Sequence, residues 1–340
     1  MPNSRNINKA DFDNLKTLRE KIKFCLRYAV LAPSVHNTQP WFFKILGNVC
    51  EVYFDPKLRL AQADATGRNL YISLGKCLEN FLIAAKYFGI YDKHEFILTD
   101  NLAARIYFNE TGGKVYKWER LVDTIPNRVN SRGAFLAKSI PEEILLEIKR
   151  LFAEKYAPLG LGLNIITDKE KIKAMALLTA QGMQMANRRT AFRKEMSEWL
   201  NNDLNPKKDG MPGFSLRMPF LLSFVIPWLI RFKDLGKFLG KLNYKSIMTA
   251  PAVFVFSAAE NFPLTWLHMG LAIERLSLEL QARGLKTSVY VASVEMGDLY
   301  KQVQQLLEIS SRPQFVFCAG YMDFNQRLTP KHAVEEKLIN

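Results

Sequence analysis

The sequence predicts an α+β fold, an α/β sandwich in which helices flank central mixed β-sheets, built as two tandem halves. Three observations predict it. Short runs rich in β-branched and aromatic residues alternate with long helical segments along the 340 residues. One long apolar helical segment occurs twice. In addition, 48% of the residues are hydrophobic, which is enough for a sizeable core.

The individual elements follow from composition and periodicity. Segments 13–31 and 141–156 are amphipathic, whereas 73–90 and 268–285 are apolar on most sides, as expected of central, buried helices. Further helical segments are 168–200, 216–239 and 294–308. The strand-like runs are 41–46, 50–54, 95–98, 104–108, 163–166, 252–257, 287–291 and 314–319.

Two pairs of similar segments, which we call echoes, indicate an internal duplication. The apolar segments 73–90 and 268–285 align at one constant offset, and each ends at a glycine, a common helix stop. A weaker echo pairs Leu31-Ala32-Pro33 with Tyr156-Ala157-Pro158, each following an amphipathic helix. The matching positions of the first echo are Gly75 with Gly270, Glu79 with Glu274, and Gly89 with Gly284.

We therefore expect a first half over residues 1–122 and a second half over 123–340. The seam between them lies within 111–131, which contains Gly-Gly, Pro and a charged stretch. Residues 201–219 are rich in Asn, Pro, Lys and Gly, and they open a lid-like insertion around 201–239.

The charge balance favours an anionic partner. Lys and Arg number 47 against 33 Asp and Glu, a net charge of +14. A phosphate, an acidic cofactor, nucleic acid and a membrane surface all fit this charge, and so does a merely solvated basic surface. The basic residues are spread along the chain without a dense block, so we expect no nucleic-acid partner.

Cysteine and histidine usage predicts neither disulfides nor a metal site. The four cysteines are far apart and include no CxxC pair, which favours free thiols in a reducing compartment, hence a cytoplasmic location. The four histidines are equally scattered. The polar N-terminal stretch does not resemble a secretory signal. The apolar stretch 218–232, interrupted by Pro227, is too short to span a bilayer, which favours a buried or lid helix over a membrane anchor.

The most informative motif is the loop from Ala32 to Trp41. It offers hydroxyl, amide, imidazole and backbone groups on a rigid scaffold, which suits a flat polar ligand; an ordinary helix-to-strand connection is the alternative. Ser34 and His36 lie two apart with no orienting carboxylate, so we do not predict a nucleophile there.

Basic segments in the second half predict a phosphate site. Arg128 and Arg132 bracket Asn130 and Ser131, so that two guanidinia and neutral donors could surround one phosphate; an ordinary basic linker is the alternative. Near the C-terminus, Arg327 and Lys331 could form a second clamp or simply a charged tail.

Two further segments are weaker candidates. Asn243 and Lys245 precede the apolar strand at 252–257 and could present an amide and an ammonium to one ligand face. Glu295 and Met296 lie between a strand and a helix start, where free backbone N–H groups could face a ligand; a plain N-cap is the alternative.

Taken together, these residues resemble the nitroreductase superfamily of FMN-dependent oxidoreductases, and more closely its single-chain branch, in which two halves imitate a homodimer. The resemblance covers roughly residues 13–331. Its most specific element is Ala32-Pro33-Ser34-x-His36-Asn37-Thr38-Gln39-Pro40-Trp41; then come Arg59, Asp64, Gly67 and Arg68 before the helix with Gly75 and Glu79, and the pattern Gly270, Gly284-Leu285, Pro313-Gln314, Gly320-Tyr321.

The resemblance implies an FMN between the halves and no catalytic side chain, since the flavin carries the chemistry. NAD(P)H would donate hydride, and a nitroaromatic or quinone-like acceptor would receive it. Storage or sequestration of FMN beneath the lid is the alternative. The implied FMN-binding residues are Pro33, Ser34, Val35 and His36 from the first half, and Arg128, Asn130, Ser131, Arg132, Asn243, Lys245, Glu295, Met296, Arg327 and Lys331 from the second.

Departures from the family pattern limit the expected stoichiometry. The first half has no Arg-x-Ser-type segment before its first helix, and the second half has Leu159-Gly160-Leu161 where the first has its Pro-Ser loop. The two complete half-sites therefore belong to different halves and can meet once. We expect one flavin per chain and a monomer that acts as an internal pseudo-dimer.

Overall fold

The structure, a computed structural model, describes residues 4–110 and 112–339, so that the first residue of the predicted seam lies outside it. Its α-helices are α1 (Leu18–Ala29), α2 (Arg68–Tyr87), α3 (Glu119–Thr124), α4 (Glu142–Lys155), α5 (Lys169–Arg188), α6 (Thr190–Trp199), α7 (Leu222–Phe232), α8 (Gly236–Met248), α9 (Pro263–Gln281), α10 (Ala292–Glu295) and α11 (Leu299–Leu307). Its strands are β1 (Trp41–Leu46), β2 (Val49–Phe54), β3 (Tyr91–Thr99), β4 (Leu102–Phe108), β5 (Leu161–Ile166), β6 (Leu200–Asn201), β7 (Met211–Pro212), β8 (Ala252–Ala258), β9 (Lys286–Val289) and β10 (Arg312–Gly320).

The α+β prediction is confirmed, but the expected mixed sheets are not. One four-stranded sheet has the order β1-β2-β4-β3 and the other β5-β8-β10-β9, and every strand pair within them is antiparallel. In the first sheet, two-residue turns join β1 to β2 and β3 to β4, and such turns connect only antiparallel strands. Among the described residues, parallel pairing is limited to β6–β7 and the bridges Phe43–Leu338 and Asn130–Thr287.

All eight predicted strand runs overlap an observed strand, but three predicted helices are each divided, among them 294–308, which breaks at the extended Met296 between α10 and α11. Segment 168–200 breaks at Arg189, whose backbone is extended between α5 and α6. Segment 216–239 breaks after Phe232, because Lys233 is extended and a new helix starts at Gly236. Helix α8 therefore continues to Met248, through residues that we expected to be a strand entry.

The two repeated apolar segments form α2 and α9, which pack against each other at the centre of the molecule. They cross at the matched glycines: a Cβ added to Gly75 would lie 2.1 Å from the carbonyl oxygen of Leu267. A Cβ added to Gly270 would lie 2.2 Å from the carbonyl oxygen of Ile72. The backbones thus touch directly, and the prediction that both helices are buried is confirmed.

A single hydrophobic cluster runs through both sheets and both central helices; it includes Phe43 and Phe81 of the first half and Phe254 and Phe317 of the second. The C-terminal tail adds to this continuity, because Phe43 exchanges backbone hydrogen bonds of 2.8 and 2.9 Å with Lys337 and Ile339. No helix among residues 4–110 and 112–339 is long and apolar enough to cross a membrane.

The insertion around 201–239 consists of β6, β7, a 3-10 turn at Gly213–Leu216 and α7. We expected a buried or a lid helix for its apolar stretch, and the buried alternative is wrong. Most of α7 faces outward, and Leu221 and Trp228 are 76% and 61% exposed. The N-terminal part of the insertion, in contrast, contacts the candidate site described next.

Candidate functional site

The Pro-Ser loop of the first half is backbone-strained. His36, Asn37 and Gln39 have φ angles of 45°, 57° and 49°, in the left-handed region that non-glycine residues rarely adopt. Such a conformation costs roughly 1–2 kcal/mol per residue. It persists where surrounding contacts over-determine it, which is typical of functional sites.

The C-terminal tail supplies those contacts. The Lys331 ammonium donates to the carbonyl oxygen of Ala32 at 2.6 Å and to Asn37 Oδ1 at 2.9 Å. The Lys337 ammonium donates to the Gln39 carbonyl at 2.7 Å. Both lysines are buried, and burial lowers the pKa of Lys331 well below its usual value. When Lys331 is protonated, two of its three N–H groups hold the loop, which leaves one for a ligand.

Internal hydrogen bonds fix the front of the loop, where Pro33, Ser34 and Val35 are half-buried. The amide of Val35 donates to Ser73 Oγ at 3.1 Å, and the amide of Gln39 donates to Ser34 Oγ at 2.9 Å. These bonds leave the Ser34 hydroxyl hydrogen available to a ligand. The loop thus presents side-chain groups rather than the Val35 amide.

His36 lies beside Arg132 of the second half, and both have orphaned atoms. His36 Nδ1 and Arg132 Nε are buried with no hydrogen-bond partner in the part of the chain that the structure describes. Burial of the ring, with the positive charge of Arg132 adding to it, lowers the pKa of His36 to about 4. The imidazole is therefore neutral at physiological pH. Burial also lowers the pKa of Arg132, an effect that Tyr290 opposes.

The segment from Arg128 to Arg132 runs alongside β9. The amide of Ser131 donates to the Thr287 carbonyl at 2.8 Å, and the amide of Val289 donates to Asn130 Oδ1 at 3.0 Å. The amide oxygen of Asn130 is therefore committed to the sheet edge. This anchoring fixes the positions from which Arg128 and Arg132 extend in the candidate site.

Arg128 belongs to a cationic cluster, which we define as the buried Lys76, Arg128 and Lys331 around Glu274, together with the half-buried Arg5 beside Arg128. Arg128 Nε lies 3.4 Å from Glu274 Oε1. Burial, together with the charge of Arg128, lowers the pKa of Lys76 to about 7. Arg5 donates to the Pro126 carbonyl at 2.8 Å, and its pKa is lowered to about 10 by burial and by Arg128. Buried cations in excess of carboxylate favour an anion at this place.

Sequence reasoning missed Arg5 and Lys76, and it noted Glu274 only as part of the repeat. Lys76 and Glu274 carried a usable signal, because charges within otherwise apolar helices need buried partners. Arg5 carried none, since its role depends on the path of the N-terminal segment to Pro126.

Asn243 and Lys245 are placed differently from our expectation. They lie two residues apart within α8, so they project about 200° apart around its axis and cannot present one common face. Lys245 is exposed. The adjacent Ser246 points inward instead and donates to the carbonyl of Gly133, next to Arg132. Ser246 also accepts a hydrogen bond from the hydroxyl of Tyr290.

The expectation of free backbone N–H groups at Glu295 and Met296 is wrong. Glu295 ends the short helix α10, and both amides donate to carbonyls one turn earlier, at 3.1 and 3.2 Å. The buried Met296 side chain packs into a small apolar cluster. Glu295 Oε1 accepts from Asn69 Nδ2 at 2.7 Å and lies 3.4 Å from Arg68, which links the two halves.

The insertion covers the junction between the loop and Arg132. The Arg217 guanidinium donates to the Arg132 carbonyl at 3.1 Å. The Lys208 carbonyl accepts from Asn37 Nδ2 at 2.8 Å and from Gln39 Nε2 at 2.9 Å. The exposed Arg327 stacks 4.1 Å from the ring of Phe214 in the insertion, rather than reaching the cationic cluster.

A surface cavity of about 210 Å³ opens beside the loop and the cluster. Its lining is strongly basic, and it offers hydroxyl groups as well. The lining residues are Ser4, Arg5, Lys208, Leu328, Thr329, Pro330 and Lys331.

The groups that the site offers are basic side chains and hydrogen-bond donors. Among the described residues, no group of three or more His, Cys, Asp or Glu is placed to hold a metal ion. The orphaned donors and the excess of buried cations instead suit a phosphate-bearing ligand with a polar ring.

Comparisons with known proteins give one consistent family. The nitroreductase family model matches residues 125–321, more than half of the chain. Two Mycobacterium tuberculosis proteins, from strains CDC 1551 and H37Rv and provisionally named NAD(P)H nitroreductases MT3217 and Rv3131, are each 36% identical over 70 residues. That match covers 21% of this chain and 20% of each relative, so it spans only a fifth of their length.

The solved structures that this chain is similar to include two nitroreductases. The FMN-dependent nitroreductase NfnB from Mycobacterium smegmatis, solved with NADPH, is 18% identical; the similarity covers 64% of this chain and 95% of that one, with a TM-score of 0.41. The FMN- and NADPH-dependent NfnB from a Sphingopyxis strain is 18% identical over 64% of this chain and 96% of that one, with a TM-score of 0.44. On the match of the family model to residues 125–321, the chain belongs to the nitroreductase family.

Proposed function

We propose that this protein is an FMN-binding oxidoreductase of nitroreductase type, which passes hydride from NAD(P)H through FMN to nitroaromatic or quinone-like acceptors. Family membership supports the reaction class. One observation carries the assignment of the site. His36 and Arg132 come from different halves of the proposed pseudo-dimer and lie side by side, and among the described residues each has a buried nitrogen atom with no hydrogen-bond partner.

The residues present fit FMN. Three basic side chains, those of Lys76, Arg128 and Lys331, face Glu274, and Arg5 lies beside Arg128, so a phosphate dianion would favour the charged forms of these groups. Arg128 and Lys331 would hold that phosphate, with Ser131 beside them. Arg132 would donate to the polar edge of the ring, and Pro33 to His36 would form the opposite rim.

When bound, FMN supplies acceptance and donation of hydride. The protein binds, orients and excludes water. Arg132 would stabilise negative charge at the edge of the ring, in a place where burial strengthens electrostatic interactions. His36 stays neutral, so it can offer one hydrogen bond without adding charge. We assign no side chain as a proton donor or acceptor.

We further propose that residues 1–122 and 123–340 act as an internal pseudo-dimer in a monomeric protein. The crossing of α2 and α9 at matched glycines supports this, because equivalent elements of two subunits meet at a two-fold axis. All four cysteines are free and buried, which supports a reducing, cytoplasmic location.

Two measurements test the function. Purified protein should show flavin absorbance near 370 and 450 nm, which is a property of the cofactor itself. Rapid mixing with NADPH without oxygen should then bleach the 450 nm band within seconds, and a nitroaromatic or a quinone should restore it. A flavin-loaded protein that does not bleach over minutes would exclude the reductase.

FMN sequestration is the second candidate, and the contacts of the insertion favour it. Arg217 and Lys208 tie the insertion to Arg132 and to the loop, which would hinder the approach of a hydride donor. Under this alternative, Arg217→Ala should speed bleaching by NADPH at least tenfold. Arg231→Ala is the matched control, because Arg231 lies in the same insertion and pairs with the exposed Glu198. Equal bleaching rates in all three proteins would argue against a closed lid.

A further inference from the structure

The outer side of the insertion is an apolar surface, which we define as Phe220, Leu221, Phe224, Val225, Trp228 and Phe232. Each of these side chains is 44% exposed or more. The rings form two touching pairs, Phe220 with Phe224 and Trp228 with Phe232, both with centroids 5.4 Å apart. Contiguous exposure of this kind marks an interaction site on a folded protein.

Helical periodicity places these residues on one side of α7. The positions 221, 224, 225, 228 and 232 repeat at intervals of three and four, which corresponds to one face. Ser223 and Ile230 point the other way and are buried, at 1% and 3% exposed. The inner face of the helix thus packs against the protein, and the outer face is left for a partner.

A basic segment follows the apolar surface along the chain, and we define its lysines, Lys233, Lys237, Lys241 and Lys245, as the basic rim. All four are exposed. On α8 they alternate with the exposed Phe238 and Leu242. Residues 210–250 contain six Lys or Arg against one acidic residue, Asp234. The segment that carries the apolar surface is therefore also strongly cationic.

We propose that this face docks on an anionic lipid bilayer, with α7 lying in the interface plane. Aromatic and aliphatic side chains on one face, with lysines at its border, form the pattern of in-plane membrane helices. The lysines match the negative surface potential of anionic lipids. A second copy of the chain is disfavoured as the occupant, because two cationic faces would be brought together.

The proposal concerns the surface and is independent of flavin chemistry. At 11 residues, α7 is much too short to span a bilayer, so the attachment is peripheral and reversible. The N-terminal part of the insertion carries the contacts to Arg132 and the loop, so the same segment would join the bilayer and the candidate site.

Vesicle co-sedimentation tests the proposal with the full chain. We expect at least tenfold more protein bound to phosphatidylcholine vesicles containing 30% phosphatidylglycerol than to pure phosphatidylcholine. The double variant Phe224→Ser/Trp228→Ser should lose binding at least tenfold. The matched control, Leu146→Ser/Leu177→Ser, removes two apolar side chains that are 56% and 54% exposed elsewhere and should bind as wild type.

A second pair of variants tests the rim without touching the apolar surface. Lys237→Glu/Lys241→Glu should abolish the preference for anionic vesicles, whereas Lys149→Glu/Lys169→Glu, with the same change of charge elsewhere, should retain it. Absence of binding to anionic vesicles at 0.15 M salt would overturn the proposal. So would light scattering that shows a dimer which Phe224→Ser/Trp228→Ser converts to a monomer, because a second copy would then occupy the face.

Discussion

At the level of single residues, the candidate site consists of charges and dipoles held where burial disfavours them. Arg132 and His36 have buried nitrogen atoms without partners among residues 4–110 and 112–339, and Lys76 and Lys331 are buried amino groups with lowered pKa values. Desolvation makes each of these costly in the absence of a ligand. A site of this kind is selected for binding rather than for stability, and that cost has measurable consequences.

The first consequence is a pH dependence of stability due to His36. Its pKa is about 4 in the folded protein and about 6.5 when unfolded, so the unfolded chain binds the proton first as the pH falls. The contribution of His36 to the free energy of unfolding is fully present above pH 6.5 and is lost as the pH falls towards 4. Between pH 7 and 5 it amounts to about 2 kcal/mol. His36→Asn should reduce the loss of unfolding free energy over that range by this amount, measured by urea unfolding.

Asparagine is the appropriate substitute because it tolerates the left-handed backbone of His36. Other buried histidines, such as His94, titrate identically in both proteins and cancel in the comparison. If the unfolding free energy changed by the same amount between pH 7 and pH 5 in His36→Asn and in wild type, the His36 ring would not be desolvated.

The second consequence concerns FMN affinity. Hydrogen bonds to charged groups contribute about 1.5–3 kcal/mol, so Arg132→Gln should weaken FMN binding roughly ten- to a hundredfold. Arg19→Gln is the control, since Arg19 is exposed and donates to the Ile45 carbonyl away from the site. The measurement is fluorescence titration of apoprotein with FMN. Equal affinities for the two variants would remove Arg132 from the site.

At the level of elements, the close approach of α2 and α9 is the most constrained feature. Gly75→Ala places a methyl group against the Leu267 carbonyl, where neither backbone can move. Overpacking of this kind costs about 3 kcal/mol, more than the gain in helix propensity. Thermal and urea unfolding measure it. Gly47→Ala is the comparison: its Cβ meets open space, so only the left-handed backbone is strained, at about 1 kcal/mol.

If Gly75→Ala lost no more stability than Gly47→Ala, the two helices would not touch at their glycines.

The secondary-structure elements differ in how well the sequence predicted them. Strands and central helices have strong periodicity and end at glycines, so they were found within a few residues. The division between α7 and α8 was missed, because it depends on one extended residue, Lys233, within an apolar run.

The sequence predicted those residues of the candidate site that belong to a contiguous motif. The loop and the segment from Arg128 to Arg132 were recognisable, and the structure brings His36 and Arg132 together. Lys76 and Arg5 were not found, because their proximity to Arg128 depends on packing between distant segments. The Glu295 amides were misassigned because a strand-to-helix junction in sequence does not show whether a short helix has already used them.

At the level of the whole molecule, the two equivalent places at the centre are not equally prepared for a ligand. On one side, Glu274 faces Lys76, Arg128 and Lys331, and the Pro-Ser loop is held in a strained conformation by Lys331 and Lys337. On the other side, Glu79 is balanced by Lys155 at 3.3 Å and Arg275 at 3.5 Å. Residues 157–160, which correspond to the Pro-Ser loop in the second half, are exposed.

The second place is also filled by a side chain. Trp118 stacks 4.3 Å from the Arg275 guanidinium, which covers the charge that a second phosphate would need. We therefore predict one FMN per chain. Titration of the apoprotein, followed by light scattering in line with absorbance at 450 nm, should give one flavin and the mass of a single chain. Two flavins per chain would mean that the second half-site binds despite Trp118. One flavin per two chains would mean that the site requires a partner, and either result would contradict the internal pseudo-dimer.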